Sequence, residues 1–159
     1  MKKVIFLSLL LTPLLSVFLW AATPLPLPRF ASLRSSEINL RMGPGSEYPV
    51  DWVLKREHMP VEIIAEYEVW RKIRDHEGVE GWVHKNMLSG ARFAIVVHTF
   101  QHLHRKADLH SQAIAAAEAG VICKIVEAKG DWCCIEAQGY KGWVSRSALW
   151  GIYPTETIK

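Results

Sequence analysis

Trp70-Arg71-Lys72-Ile73-Arg74, followed by Glu80-Gly81-Trp82-Val83, returns later in the chain as Trp132-Cys133-Cys134-Ile135-Glu136, followed by Lys141-Gly142-Trp143-Val144. Trp70 to Trp132 is 62 positions and Trp82 to Trp143 is 61. The match extends outward in both directions. Asn39-Leu40-Arg41 corresponds to His102-Leu103-His104, with 63 positions between the leucines. The run from Pro60 to Glu66 corresponds to Val121 to Glu127, and Leu88-Ser89-Gly90 to Leu149-Trp150-Gly151. The small changes of spacing fall between segments, where loops tolerate them. A repeat of this kind means that one supersecondary unit is built twice.

Each unit reads as short strands. Val61, Ile63 and Ala65 alternate with Glu62, Ile64 and Glu66, a period of two with one face mostly apolar. Arg71, Ile73 and Asp75 alternate with Trp70, Lys72 and Arg74, which suits a strand paired to the first. Ala128 to Asp131 and Asp75 to Gly78 carry turn residues. Gly81 and Gly142 each precede a Trp within a strand, a place where another backbone or a large ring can approach closely. Gln112 to Ala119 is rich in Ala and helix-like. Its counterpart, Val50 to Glu57, holds β-branched and aromatic residues, so both are read as strand or loop. A unit of about 60 residues with around five strands suits a small closed barrel, closure hiding the sheet edges. So small a core gains from packing the two units together.

Composition sets the bounds. Of 159 residues, 50% are hydrophobic and 22% charged, too apolar a mixture for a disordered chain. Ten glycines exclude a collagen repeat. Met1-Lys2-Lys3 precedes an uncharged stretch from Val4 to Ala22, which reads as a secretory signal. Cutting after Ala21 or Ala22 leaves bulky Leu19 or Trp20 three residues before the cut. The stretch is therefore either a cleaved signal over 1–22 or an uncleaved single-span anchor, with the remaining chain exported to the periplasm in both cases. The alternating prolines of Thr23 to Arg29 make an extended tether over 23–32. The units then occupy 33–91 and 92–154, with a tail at 155–159. Residues 31–91 carry 8 basic and 10 acidic side chains, and residues 92–159 carry 8 basic and 6 acidic. Neither half has the basic stripe that nucleic acid requires, and membrane contact is expected only through residues 4–22.

Asn39-Leu40-Arg41-x-Gly43-Pro44-Gly45, then Trp70-x-x-Ile73-Arg74, then Gly81-Trp82-Val83 resembles the shared pattern of the bacterial SH3-like (SH3b) domains of exported proteins. More narrowly, Pro49-Val50-x-Trp52-Val53 and the ending Leu149-Trp150-Gly151-Ile152-Tyr153-Pro154 are similar to the tandem SH3-domain proteins of alphaproteobacteria. The resemblance covers residues 31–154. It implies an all-β fold of two tandem SH3-like barrels behind the N-terminal signal or anchor helix. It also implies a non-enzymatic binding or adaptor role in the cell envelope, with peptidoglycan peptide or an envelope protein as partner. SH3b units often sit beside a Cys/His peptidase domain in cell-wall hydrolases, and this reading leaves no residues for one. The second unit departs from the pattern, because His104 replaces the Arg and no Gly-Pro-Gly follows.

Several residues that can bear chemistry also have plain structural roles. Gly43 and Gly45 can take positive φ while Pro44 fixes its own, giving a stiff bend beside Arg41 and Tyr48. With Trp52, these residues are the candidates for a ligand groove; the alternative is a turn that only closes the barrel. His98, His102, His104 and His110 cluster, and His102 and His104 share a strand face on which two imidazoles can hold Zn²⁺. Using His98, His102 and His104, that cluster supports an alternative reading as a metal-dependent envelope hydrolase. No other cofactor is implied. Cys123, Cys133 and Cys134 are either buried thiols or one disulfide with an odd thiol, with Cys123 set opposite residue 135 or 136. The recurring pairs Trp70/Trp132 and Trp82/Trp143 read as core or rim packing. The unmatched Trp52 and Trp150 read as inter-unit packing, or as a patch that docks the chain as a structural subunit of an envelope complex.

Overall fold

A computed structural model describes residues 25–159, so the expected signal or anchor helix lies outside the described residues. The first unit consists of β1 (Arg29–Leu33), β2 (Ile38–Arg41), β3 (Val50–Leu54), β4 (Pro60–Tyr67), β5 (Trp70–Arg74), β6 (Glu80–His84) and β7 (Leu88–Ser89). The second consists of β8 (Phe93–Val96), β9 (Phe100–His104), β10 (Ala113–Glu118), β11 (Ile122–Lys129), β12 (Trp132–Ala137), β13 (Tyr140–Ser145) and β14 (Leu149–Trp150). Strand order is β3-β2-β6-β5-β4-β1-β7 in one sheet and β10-β9-β13-β12-β11-β8-β14 in the other. The second order is the first with every index raised by seven, so the sequence repeat is a repeat of topology. A short 3-10 turn precedes the last strand of each unit, at Lys85–Met87 and Arg146–Ala148. Among the described residues no helix is long and apolar enough to cross a membrane.

Each unit has seven strands rather than about five, for two reasons. The last strand is only two residues long and leaves almost no pattern. The first strand of unit one comes from the segment read as tether. Arg29 to Ser32 pair with β4, and Ser32 and Leu33 pair with β7, so residues 29–32 are sheet. Ser32 is fully buried and its hydroxyl donates to the Ala91 carbonyl at 2.9 Å. Closure by hydrogen bonds is also incomplete. Each sheet curls round its core but ends in unjoined strands, and β3 is exposed along nearly its whole length.

The same irregularity recurs in both units. The β4–β5 register shifts between Ile63 and Ala65, and the β11–β12 register between Ile125 and Glu127. A bulge bends its strand and interrupts the inside–outside alternation. Val61 and Ile63 are therefore buried, as the period of two requires, while Ala65 past the bulge is only half-buried. The turn between β11 and β12 is tighter than the expected four residues, with Lys129 paired to Trp132, and this sets the cysteines. Lys124 pairs with Glu136 and Ile125 with Ile135, so Cys123 falls beyond the expected position opposite residue 135 or 136. All three cysteines are free and buried.

Gly81 and Gly142 face inward, and what approaches them is an aliphatic side chain and backbone rather than a ring. A Cβ on Gly81 would enter the Leu40 side chain; one on Gly142 would meet Leu103 Cβ at 2.9 Å and the His104 carbonyl at 3.1 Å. The Ala-rich stretch forms strand β10 because β9 pairs along it and Ala117 is buried in the core. That pairing overrides the helix propensity of alanine.

Two cores form. Leu33, Ile38, Leu40, Val61, Ile73 and Val83 fill the first; Val96, Leu103, Ile125, Cys133, Ile135 and Val144 fill the second. The barrels pack on one another. Phe30 meets Trp150 edge-on at 5.0 Å and Tyr153 at 4.6 Å, and the Tyr153 hydroxyl donates to Glu62 at 2.8 Å. His58 stacks flat on Phe93 at 4.4 Å, and Arg56 donates to the Gly120 carbonyl at 2.6 Å. Ile122 of the second barrel packs against the first core. The segment read as a tail is tied down as well: Arg92 pairs with Glu156, and Ile158 exchanges backbone hydrogen bonds with Ala128.

Candidate functional site

The residues expected to form a groove gather at one end of the first barrel. Strand β2 ends at Arg41, whose Nη1 donates to the Tyr48 carbonyl at 2.7 Å. The Met42 N–H donates to the Pro49 carbonyl at 3.1 Å, and the Gly45 N–H to the Gly43 carbonyl at 3.0 Å. These bonds close the neck of the 42–49 loop. Neither Gly43 nor Gly45 has positive φ, contrary to expectation. Space is what Gly43 requires, since a Cβ there would lie in the Tyr48 ring; one on Gly45 would meet only the exposed Glu47 carboxylate, which can swing away. Pro44 sits half-buried between the two glycines. Trp52 stands on β3 opposite Leu40, next to this loop. Trp52 is 56% exposed, Tyr48 41% and Met42 66%, with Val50 and Val53 also open to solvent. The result is an apolar, aromatic rim on a pinned loop and an end strand.

The second barrel answers this site position by position. His104 Nδ1 donates to the Ser111 carbonyl at 2.8 Å, closing its loop as Arg41 closes the first. The substitution of His for Arg therefore preserves a latch. By ladder register, Ala115 opposite Leu103 corresponds to Trp52 opposite Leu40. Where unit one has Trp, unit two has a run of alanines, and a groove of about 440 Å³ opens there, between β10 and Tyr140 on β13. Sequence reasoning missed this groove. Its one signal was the replacement of Val50, Trp52 and Val53 by Ala113, Ala115 and Ala116.

The histidines do not assemble. The rings of His102 and His104 are 6.3 Å apart centre to centre, and His104 is held by its latch. His98 lies beside Gln101, while His110 binds Asp108. Among the described residues, no group of three His, Cys, Asp or Glu side chains is placed to hold a metal ion. The tryptophans divide by role. Trp70 and Trp132 are half-buried against His84 and His104, at the rim of the cores. Trp150 packs between the barrels, whereas Trp52 stays more than half exposed. The thiols are shielded: burial pushes Cys123 up to about 12 and raises Cys133 and Cys134 as well.

A scan against family models matches this chain twice to the bacterial SH3 domain, over residues 34–90 and 97–151. The chain belongs to the bacterial SH3 domain family. Each matched segment falls within one sheet, and strands β1 and β8 lie outside the matches. No curated protein matches it. Among solved structures it is similar to NlpC2 from Trichomonas vaginalis, at 15% identity and a TM-score of 0.35, over 77% of this chain and 48% of that one. It is also similar to NlpC1 from the same organism, at 16% identity and a TM-score of 0.34, over 85% of this chain and 50% of that one. The chain thus spans about half the length of these structures.

Proposed function

We propose that this tandem SH3 protein is a non-enzymatic binding or adaptor module of the cell envelope. In this reading it is exported and faces the periplasm, and its partner is peptidoglycan peptide or an envelope protein. The observation that carries the proposal is the exposed rim of Met42, Tyr48 and Trp52 on a loop pinned by Arg41. Aromatic anchors on a rigid support are the usual carriers of binding energy. Family membership supports a binding role rather than a catalytic one.

The test is a pull-down of the purified chain on isolated sacculi, with Trp52→Ala as the matched variant. Retention of the native chain and its loss in the variant support wall binding. No retention above a heat-denatured control removes the peptidoglycan version. The exposed Trp52 also favours a protein partner, which crosslinking at position 52 in intact cells would capture.

A further inference from the structure

A second hollow, of about 340 Å³, lies against the 3-10 turn of the second barrel, far in sequence from the aromatic rim. Arg146 lines it and is only 8% exposed. Its Nε donates to the Gly130 carbonyl at 2.7 Å, and its Nη1 to the carbonyls of Tyr153 at 2.7 Å and Glu156 at 2.8 Å. Nη2 has no acceptor, and no carboxylate forms an ion pair with this guanidinium, among the described residues. The Glu156 carboxylate, which also feels Arg146, is already paired with Arg92, so two guanidiniums share one carboxylate and a net positive charge is left for an anion to complete. Asp131 lines the same hollow and likewise has no ion-pair partner among the described residues. The hydroxyls of Ser145 and Ser147 lie 2.9 Å apart; one donates to the other, which leaves the second O–H free to donate. Leu149 and Ile152 supply an apolar wall.

We propose that this hollow binds a free α-amino acid as its zwitterion. The carboxylate is held by Arg146 and a serine hydroxyl, the ammonium by Asp131, and a small aliphatic side chain by Leu149 and Ile152. Every part of the ligand has one matching group, and the volume falls at the small end of ligand pockets. The first barrel keeps a cation, Lys85, at the position of Arg146, and shows that the acidic group is not demanded by the fold. There the Lys85 N–H donates to the Val69 carbonyl at 2.8 Å, as the Arg146 N–H does to the Asp131 carbonyl at 2.8 Å. Val69 thus stands where Asp131 stands, and no ammonium acceptor exists at that position.

The test is an NMR titration of the ¹⁵N-labelled chain with L-alanine and D-alanine, against N-acetyl-alanine, alaninamide and acetate. Saturable shifts at Asp131 and over residues 145–148 are expected with at least one enantiomer of alanine. Each blocked form should bind at least about tenfold more weakly, because each loses one charge-assisted contact. Arg146 also pins the C-terminal segment, so the deciding variant is Asp131→Asn at an exposed side chain. It should abolish the preference for alanine over N-acetyl-alanine and leave the rest of the spectrum unchanged. No saturable shift, an equal response to acetate and alanine, or an unaltered preference in Asp131→Asn would each overturn the proposal. Sacculus binding by the aromatic rim does not involve Asp131, so the two readings fail separately.

Discussion

Gly81 shows how much one atom decides here. Its Cα faces Leu40, which is 1% exposed and has no room to retreat. Gly81→Ala forces overpacking, with an expected loss of about 1–3 kcal/mol. Urea unfolding should show a lower midpoint at unchanged slope. Cys123 makes the opposite kind of point, since burial keeps its thiol neutral up to about 12, against an ordinary value of 9.0. A native pKa raised above the unfolded one stabilises fully below the unfolded value, and that contribution is lost as pH rises toward the native value. Stability should therefore fall between pH 9 and 12, and Cys123→Ala should flatten that limb in thermal melts. At pH 8 the native thiol should resist alkylation that the unfolded chain undergoes at once.

Among the elements, β1 is the one whose sequence most understates its role. Prolines precede it and charged Arg29 opens it, so it reads as linker. In the fold it is interior to the sheet, between β4 and β7. A chain beginning at residue 34, where the family match starts, loses that strand. It should lack native near-UV circular dichroism and dispersed amide signals, whereas a chain beginning at residue 25 should retain both. Strand β10 is the converse case. Its alanines carry a helix signal, and only the partner strand β9 makes them a strand. The bulges in β4 and β11 were likewise hidden, because a bulge follows from how a strand must bend around a core and not from its own composition.

For the whole molecule, the junction between barrels ties the two cores together. Phe30, Trp150, Tyr153, His58 and Phe93 cross it, and Ile122 joins the first core from the second unit. Such coupling predicts one cooperative unfolding transition seen alike by fluorescence and circular dichroism. Tyr153→Phe removes the hydrogen bond to Glu62 and should cost about 0.5–1.5 kcal/mol without splitting the transition. Phe30→Ala removes the aromatic contacts of β1 to both Trp150 and Tyr153, and should separate the melt into two steps. A single sharp melt in Phe30→Ala would show that the remaining contacts couple the barrels by themselves.

The sequence by itself determined the duplication, the strand pattern and the family, because a period of two and a repeat of about 60 residues are local and need no partner to be visible. It also named the loop residues Arg41, Gly43, Pro44, Gly45 and Tyr48 as one group, since they are neighbours along the chain. Only the tertiary structure decided that neither glycine takes positive φ, that Gly43 serves the close approach of Tyr48, and that His104 is a latch. It alone separated Trp150 from Trp52, one half-buried between barrels and the other open. The reason is that burial, register and pairing depend on what lies across the sheet, and that neighbour is many residues away along the chain.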